Sequence, residues 1–393
     1  MITLHQSPTD PDFVQNPYPF YERARAAGPF FRWEEYDLIC TGNAAAVSAI
    51  FRDRRFGRET PAELVQPFPE HLRPFYAVEA HSMLELEPPR HTRLRGLVLR
   101  AFTSRRIAAL APEIEALTDE LIANFPEGPF DLLEHFAQPL PVRIIARLLG
   151  VPEEMAPDLL RWSNAMVNVY MASRTRETED RAAAATEAFV AFMRSYVEER
   201  RARPADDLIT HLIAAEAEGE RLSTDELIST CILLLNAGHE ATVHTIGNGV
   251  KTLLEHRTPL SALGQDAIAG TVEEILRYDP ALHLFTRWVY EDAEVMGHQF
   301  KRGDKVALLL AAANRDPGPW EDPGRFRPER RVQPMATFGA GLHFCVGAPL
   351  ARLELQIALP KLFAACPSLQ LAAPPRYGDV YHFHGLEKLM VSR

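Results

Sequence analysis

Apolar residues recur at helical spacing through the middle of the chain and predict a series of helices. Between residues 104 and 125 the apolar positions lie three or four apart, at Ile107, Leu110, Ile114, Leu117, Leu121 and Phe125. This spacing predicts one helix with Ser104 as its N-cap. The same pattern predicts further helices over 142–149, 152–171, 178–201 and 206–218.

The longest predicted helix runs from Ser223 to about Glu255. The Ser223 hydroxyl and Glu226 three residues later form a capping-box pattern at its start. At 1.5 Å per residue the helix spans about 50 Å, enough to cross a whole domain. Polar and small residues interrupt its apolar middle at 236–242. A glycine there costs about 1 kcal/mol against alanine, so the segment is either a kink with a solvated face or a functional site.

Short extended segments flank this helical region. Residues 1–100 are rich in proline and aromatic side chains and are expected to be irregular, with strands at 30–33 and 38–41. A small sheet is predicted within 284–310.

The last part of the chain combines a loop and a helix. The four prolines within 314–331 predict a loop. A final helix is expected over 347–365.

Composition and charge narrow the class of protein. With 393 residues the chain has room for two domains or for one large domain. Hydrophobic residues at 47% and charged residues at 24% are typical of a folded globule and exclude a disordered chain. Acidic residues outnumber basic ones by 53 to 42, which argues against a dedicated nucleic-acid binder.

Cysteine spacing and hydropathy predict a soluble cytoplasmic protein. The four cysteines are far apart and form no Cys-x-x-Cys, so neither a disulfide framework nor a zinc ribbon is expected. The first ten residues lack the basic and apolar regions of a signal peptide. No run of about 18 apolar residues predicts a membrane span.

Two familiar motifs fail on spacing. His239, Glu240 and His244 resemble the zinc signature H-E-x-x-H, but the histidines are five positions apart instead of four, which turns them roughly 140° from each other on a helix. Gly339 and Gly341 begin a G-x-G-x-x-G, but Phe344 stands at its third position. The sequence therefore predicts neither that zinc site nor a dinucleotide fold.

Cys345 has a more specific setting than a buried hydrophobe needs. Glycines on both sides let the backbone approach a flat group closely. The cysteine precedes a predicted helix with Pro349 in its first turn, so unpaired N–H groups of the helix end favour a thiolate. A desolvated, hydrogen-bonded thiolate at such a place needs a cation or a metal ion beside it.

The segment 338–348 closely resembles the haem-binding loop of the cytochrome P450 family, F-G-x-G-x-H-x-C-x-G. The residues that meet its fixed positions are Phe338, Gly339, Gly341, His343, Cys345 and Gly347. The resemblance implies a single P450-type domain over 1–393, mainly α-helical with small β-sheets. It also implies haem b (iron protoporphyrin IX) with Cys345 as its axial thiolate ligand.

Other family patterns follow in the expected order. Glu274 and Arg277 match the family's E-x-x-R, and Arg330 matches the arginine that completes that ion network. Four residues match positions that hydrogen-bond the haem propionates in the family: His91, Arg95, Arg287 and His343. Arginine suits this role because its planar fork donates to a carboxylate with two N–H groups.

The long helix carries the pattern of the family's oxygen-binding groove. Ala237, Gly238 and Glu240 match A-G-x-[DE], which implies that Glu240 moves protons. Threonine usually follows this acid, but here Ala241 does, and then Thr242. The resemblance therefore assigns proton delivery to Glu240 with Thr242 or ordered water.

The resemblance implies a monooxygenase that inserts one oxygen atom of O2 into a small-to-medium apolar substrate. No flavin or iron–sulfur domain is expected beyond Arg393, so electrons are expected from a ferredoxin and an NAD(P)H-dependent ferredoxin reductase. Their expected docking patch comprises Arg100, Arg105, Arg106 and Arg352. A haem-thiolate peroxygenase or isomerase, or a non-catalytic haem sensor, remains an alternative.

The resemblance also suggests which segments line the substrate pocket. They are 75–84, 166–171, Leu234, Ala237, 282–285 and Phe383. Most of these residues are apolar, which suits a terpenoid, fatty or aromatic substrate. His283 is either a polar contact for the substrate or a packed histidine.

Overall fold

Helices make up most of the computed structural model, which describes residues 1–171, 174–215 and 221–393. Within these ranges the α-helices are α1 (Pro11–Gln15), α2 (Tyr18–Ala26), α3 (Ala44–Arg52), α4 (Arg73–Glu79), α5 (Arg90–Ala101), α6 (Ser104–Ala109), α7 (Ala111–Ala123), α8 (Pro139–Leu149), α9 (Ala156–Val167), α10 (Arg176–Ala202), α11 (Leu208–Ala214), α12 (Thr224–Glu255), α13 (Ile268–Tyr278), α14 (Leu310–Ala313) and α15 (Ala348–Ala365).

Short strands form small sheets beside the helices. The strands are β1 (Ile2–Leu4), β2 (Phe31–Trp33), β3 (Leu38–Thr41), β4 (Phe56–Gly57), β5 (Phe130–Asp131), β6 (Leu284–Val289), β7 (Ala293–Val295), β8 (His298–Phe300), β9 (Lys305–Leu309), β10 (Gln370–Leu371), β11 (Arg376–Tyr377), β12 (Leu386–Lys388) and β13 (Met390–Ser392). The largest sheet has the order β1-β2-β3-β9-β6-β4. The fold is therefore mainly α-helical with small β-sheets, as predicted.

Helix α12 is the central element of the fold. Its first turn is closed by the predicted capping box, in which Ser223 accepts from the Glu226 N–H and Glu226 accepts from the Ser223 N–H. Its 32 residues span about 48 Å. Helices α8, α9, α10, α13 and α15 pack around it. The polar segment 236–242 stays within one continuous helix rather than ending it.

The main hydrophobic core lies between α12 and these neighbours. Val250 of α12, Ile275 of α13 and Leu355 of α15 are almost completely buried in it. At about 25 cal/mol per Å² of apolar surface removed from water, burial of side chains of this size fixes the relative positions of the helices. The C-terminal part of α12 is thereby packed against α15, the helix that follows Cys345.

Several predicted boundaries differ from the structure. The helix expected over 104–125 is divided into α6 and α7 at Leu110, since Pro112 in the first turn of α7 has no N–H to continue the earlier helix. The cap is Thr103, whose hydroxyl accepts from the Arg106 N–H, and not Ser104.

Residues 1–100 are more regular than predicted, since they contain α1 to α5 as well as the expected strands β2 and β3. The helix expected over 152–171 has α9 at its centre, with a short 3-10 turn on each side. The helix expected over 206–218 is the shorter α11, and its last predicted residues, 216–218, lie outside the described residues.

Among the described helices, none combines the length and the apolar content that a transmembrane segment requires.

Candidate active site

The Cys345 loop folds back on itself just before α15. The Cys345 N–H donates to the Phe338 carbonyl at 3.0 Å, which closes the loop. Gly339 and Gly341 have φ values of +66° and +69°, a region that residues with a Cβ rarely adopt. At Gly341 a Cβ would also lie 2.1 Å from the Phe51 carbonyl oxygen of α3. Glycine is therefore required at both positions for the loop to present its cysteine.

The sulfur of Cys345 lies at the N-terminal end of α15. Burial raises the pKa of the Cys345 thiol, and the N–H groups of Gly347 and Ala348 oppose this together with the nearby Arg95 and Arg352. The helix-end donors predicted from sequence are present, but burial outweighs them. A thiolate here needs a further positive charge, which a metal ion supplies.

The other three cysteines have no comparable environment. Cys40, Cys231 and Cys366 are buried, whereas Cys345 is partly accessible. Burial raises the pKa of Cys40 and of Cys231 to about 12. Among the four thiols of the chain, Cys345 alone combines access with backbone donors.

Four predicted nitrogen donors converge beside the cysteine loop. The rings of His91 on α5 and His343 on the loop lie 4.3 Å apart between centroids. Arg95, one helical turn after His91, donates to the Phe344 carbonyl at 2.6 Å. Arg287 on β6 is buried, and its guanidinium carbon lies 4.9 Å from the centre of the Phe51 ring. The fold therefore brings α5, β6 and the loop to one place.

This cluster has more donors than acceptors. Burial and the nearby Arg58 lower the pKa of Arg287 to about 9, and no carboxylate within the described ranges forms an ion pair with Arg287. The buried Nδ1 of His91 has no hydrogen-bond partner in the described residues. Burial, His343 and Arg95 lower the pKa of His91 to about 4. Such a set of donors fits the two carboxylates of a haem.

Glu87 is an acidic member of this cluster that the sequence analysis missed. Its Oε1 lies 2.9 Å from Nε2 of His343 and accepts from the Arg58 N–H at 2.7 Å. Burial raises the pKa of Glu87, but the bonds from His343 and Arg58 lower it overall. The same donors that suit a haem propionate thus already bind one carboxylate. The signal in the sequence was the position of Glu87, one helical turn before His91.

The middle of α12 has an accessible face within the core. Ala237 is exposed although Leu235 and His239 on either side are buried. A Cβ on Gly238 would lie 3.5 Å from the Ile145 side chain, so that glycine allows α12 and α8 to approach closely. An exposed alanine halfway along a core helix leaves room for a flat group against the backbone.

Glu240 lies between two histidines of its own helix. Its Oε2 is 3.3 Å from Nε2 of His239, and its Oε1 is 3.5 Å from Nε2 of His244. Burial alone would raise the pKa of the Glu240 carboxyl, but the two histidines lower it far below its usual value. The histidines that cannot share one zinc therefore share one carboxylate.

Thr242 is not joined to this acid. Its hydroxyl donates to the Gly238 carbonyl at 3.0 Å, one turn earlier on α12. Gly238 faces Ile145 of α8, so Thr242 lies over the side of α12 that packs on α8. The structure brings Glu240 and Ala241 to the accessible side of the helix and leaves the Thr242 hydroxyl bonded to the backbone.

Some of the segments predicted to line the substrate pocket contact one another in pairs. Phe75 of α4 contacts Tyr170 with ring centroids 5.7 Å apart. The Asn236 amide of α12 lies 3.8 Å from the Met166 sulfur of α9. The chain after α13 reaches the C-terminal loop through a β-bridge between residues 282 and 383.

Charged residues also lie beside the segments predicted to line the substrate pocket. Glu79 accepts from the Tyr170 hydroxyl at 2.7 Å. Burial and the nearby Glu85 raise the pKa of Glu79 to about 7. Arg58 pairs with Glu85 and lies 5.3 Å from the centre of the Phe285 ring. The region is therefore not purely apolar, because Glu79 and the Arg58–Glu85 pair lie among its apolar side chains.

His283 is a packed histidine and not a substrate contact. It is completely buried, and its Nδ1 lies 2.8 Å from the Tyr21 hydroxyl. Its ring lies 4.6 Å from that of His384, which is itself 3.6 Å from Asp279 between Nε2 and Oδ1. Burial lowers the pKa of both histidines well below the usual value. Asp279 already accepts from the Tyr18 hydroxyl, so these residues form a hydrogen-bonded core.

The predicted basic patch is only partly available. Arg352 pairs with Glu273, and Arg106 lies 3.6 Å from Asp206. Arg100 and Arg105 are exposed, and neither forms an ion pair in the part of the chain that the structure describes. Two of the four arginines therefore keep their charge free for a partner.

The cytochrome P450 family model matches residues 69–266 and 268–367. The chain belongs to the cytochrome P450 family. This family uses haem b with a cysteine thiolate as axial ligand, and the chain is an oxidoreductase of the monooxygenase class. The predicted P450-type domain is thereby confirmed as the fold.

Curated relatives of this P450 are bacterial monooxygenases and hydroxylases. Cytochrome P450 monooxygenase PikC of Streptomyces venezuelae is 37% identical over 379 residues, which cover 93% of this chain and 87% of the relative. The vitamin D(3) 25-hydroxylase of Pseudonocardia autotrophica is 39% identical over 368 residues, 92% of this chain and 89% of the relative.

Solved P450 structures agree with the fold. The crystal structure of P450BioI with a hexadec-9Z-enoic acid ligated acyl carrier protein superposes with a TM-score of 0.91 at 33% identity. The match covers 97% of this chain and 99% of that one.

Proposed function

We propose that this P450 inserts one oxygen atom of O2 into a small-to-medium apolar substrate and receives its electrons from separate proteins. The observation that carries the proposal is the convergence of the Cys345 loop with a cluster of buried donors, in which Arg287 forms no ion pair with any described residue. A partly accessible thiol at a helix end, beside a buried Arg287 without an acid, is the environment that haem b requires.

The residues proposed to hold haem b come from α5, α12, β6 and the cysteine loop. Cys345 is the proposed metal ligand. The proposed hydrogen-bond donors to the haem propionates are His91, Arg95, Arg287 and His343. The remaining contacts are proposed for Ala237, Gly238, Phe338, Gly339, Gly341 and Gly347. Glycine suits most of these places because only backbone then separates the chain from the ring.

Haem b bound through a thiolate supplies the chemistry that activates O2. The chain supplies the proton path and the substrate position. Glu240 is the proposed acid that moves a proton at its carboxylate oxygens, since it is the acidic side chain beside the exposed face at Ala237. The sequence resemblance also named Thr242, but its backbone-bonded hydroxyl does not support a place in the path.

The proposed substrate is an apolar compound with one polar group. The contact of Phe75 with Tyr170 and the bridge between residues 282 and 383 support an apolar pocket between these segments. Glu79, whose pKa is raised to about 7 by burial and by Glu85, lies at the border of this region and favours a substrate that presents a hydroxyl or an amine there. Vitamin D3 and hexadec-9Z-enoic acid, named with the relatives above, are suitable first probes.

The proposed electron donor is a ferredoxin with an NAD(P)H-dependent ferredoxin reductase. Arg100 and Arg105 are exposed and form no ion pair within the described residues, which suits docking of an acidic partner. A cytoplasmic location belongs to the same proposal, because all four cysteines are free thiols.

Labelled oxygen tests this function. Compounds are first screened by the haem spin-state shift that they cause in the purified protein, starting with vitamin D3 and hexadec-9Z-enoic acid. The best binder is then incubated with 18O2, NAD(P)H, ferredoxin and reductase. We expect one labelled oxygen atom in the product.

Two other results identify the alternatives. Label from hydrogen peroxide but none from O2 would indicate a peroxygenase. Tight binding without any product from either oxidant would indicate a sensor.

A further inference from the structure

Glu240 is fixed by two imidazoles that differ in their freedom. His239 approaches Oε2 at 3.3 Å and His244 approaches Oε1 at 3.5 Å, so each carboxylate oxygen has one histidine. His244 follows Glu240 by one helical turn, the spacing at which side chains of a helix meet. The carboxylate, whose pKa is strongly lowered, keeps its negative charge and holds no proton of its own to give.

His239 is tied down on both of its nitrogens. Its Nδ1–H donates to the Leu235 carbonyl at 3.1 Å, and its Nε2 also lies 3.3 Å from Oδ1 of Asn164 on α9. Only about 2% of its side chain is exposed. His239 is therefore suited to hold Glu240 in place and has little contact with solvent for exchanging a proton.

His244 is less constrained. About 15% of its side chain is exposed, and its Nδ1 has no hydrogen-bond partner among the described residues. The ring fits against Gly385, where a Cβ would lie 2.0 Å from Nδ1, and its centroid is 5.7 Å from that of Phe383. Nε2 of His244 thus faces Glu240, and Nδ1 faces the C-terminal loop at Gly385.

The neighbouring hydroxyls do not serve Glu240. Thr242 donates to Gly238, and Thr245 donates to the Ala241 carbonyl at 2.6 Å. Both hydroxyl protons are therefore bonded to backbone carbonyls of α12. Ala241 itself carries no hydroxyl, so among the described side chains within contact of Glu240 only the two histidines carry exchangeable protons.

On the basis of the proposed monooxygenase function, we propose that His244 is the proton donor to Glu240 and replaces the hydroxyl that is missing at Ala241. The Nε2–H bond of the His244 imidazolium breaks and an O–H bond forms at Oε1 of Glu240. The charged pair becomes a neutral imidazole and a neutral carboxylic acid, and no electron is transferred. His244 then takes a proton from water, and His239 keeps the acid in position. Imidazole suits this task because its charge changes near neutral pH.

Nitrogen NMR of the CO-bound, haem-loaded protein tests the pair without any substrate. With 15N-labelled histidine, the His244 signals are assigned by their loss in His244→Gln. We expect Glu240→Gln to move the Nε2 signal of His244, because the carboxylate partner is gone. Thr245→Val, which removes a neighbouring hydroxyl outside the pair, should leave the signal in place. An Nε2 signal that is the same in wild type and Glu240→Gln overturns the proposal.

Turnover separates proton delivery from mere positioning. His244→Gln keeps an N–H near Oε1 but cannot pass on a proton, so we expect kcat with O2 to fall by roughly 10². Peroxide-driven turnover should fall much less than turnover with O2, since peroxide brings its own protons. A His244→Gln variant with wild-type kcat and wild-type product per NAD(P)H would contradict a proton-donor role.

The two experiments give different results if the monooxygenase function is wrong and if only the role of His244 is wrong. A wild-type protein that forms no thiolate-type CO complex would overturn the proposed function. A normal CO complex and normal binding, with no effect of His244→Gln on NMR or turnover, would overturn only the pairing of His244 with Glu240.

Discussion

Arg277 binds Glu274 through two parallel hydrogen bonds, with Nε to Oε2 at 2.7 Å and Nη2 to Oε1 at 2.8 Å. Both side chains are almost fully buried. Arg330 adds a second guanidinium at 3.1 Å, and Arg277 also donates to the Asn314 and Pro323 carbonyls. The ion network predicted from E-x-x-R thus fastens α13 to the long loop before the cysteine, and it touches none of the proposed haem ligands.

We expect Arg277→Ala to lower the free energy of unfolding by about 3 to 5 kcal/mol, because the buried Glu274 carboxylate loses its two-point partner and keeps only Arg330. The measurement is denaturant unfolding of the haem-loaded protein. Arg331→Ala is the control, since Arg331 is exposed on the same loop. Equal unfolding free energies for the two variants would show that the network is superficial.

Arg287→Ala is expected to weaken haem retention. One charge-assisted hydrogen bond contributes about 1.5 to 3 kcal/mol, so haem should leave roughly 10- to 100-fold faster. The rate is followed by transfer of haem to an acceptor protein in excess. Arg54→Ala, an exposed arginine, should lose haem at the wild-type rate. Identical rates for both variants would remove Arg287 from the proposed site.

Glu354 predicts a pH dependence of stability. This side chain of α15 is 1% exposed, its Oε2 has no partner in the described residues, and burial raises its pKa from 4.5 to about 8. Between these values the folded protein keeps a proton that the unfolded chain releases, so the unfolding free energy falls as the pH rises.

Glu354→Gln should flatten this fall between pH 4.5 and 8. The melting temperature measured across that range checks it. Glu115→Gln, at an exposed position of α7, should retain the wild-type slope. A Glu354→Gln curve parallel to wild type would mean that the carboxyl is ionised in the fold.

Glu240→Gln tests the proposed acid in turnover. We expect product formation to slow by about 10² to 10⁴ and peroxide release to increase, because protons no longer reach the site. The CO complex and substrate affinity should remain as in wild type. The measurement is product and peroxide per NAD(P)H consumed with the best binder from the spin-state screen. Unchanged coupling would make the acid structural.

The sequence predicted those elements that have strong local signals. The capping box of Ser223 and Glu226 correctly placed the start of α12, and the short strand-like runs within 284–310 correctly predicted the sheet that contains β6 and β9. Helix α3 was missed although Asn43 caps it in the way that sequence rules describe. The short α1 was beyond a periodicity argument, because five residues complete little more than one turn.

The part of the site formed by one continuous segment could be predicted from the sequence. The contacts between segments that are distant in the chain could not. The glycines around Cys345 mark the loop within a few residues. The bond between Glu87 and His343 joins positions 256 residues apart, which spacing alone does not reveal. His244 follows Glu240 by four residues, a spacing at which side chains of a helix meet, so the sequence alone could have predicted their contact.

The absorption spectrum of the reduced CO complex of Cys345→Ser is the most direct test of whether Cys345 is the haem ligand. Cys40→Ala, Cys231→Ala and Cys366→Ala serve as controls for the loss of a thiol elsewhere. We predict that Cys345→Ser alone loses the thiolate-type absorption, while the three controls keep it. A thiolate-type spectrum in Cys345→Ser would contradict the assignment of Cys345 as the ligand.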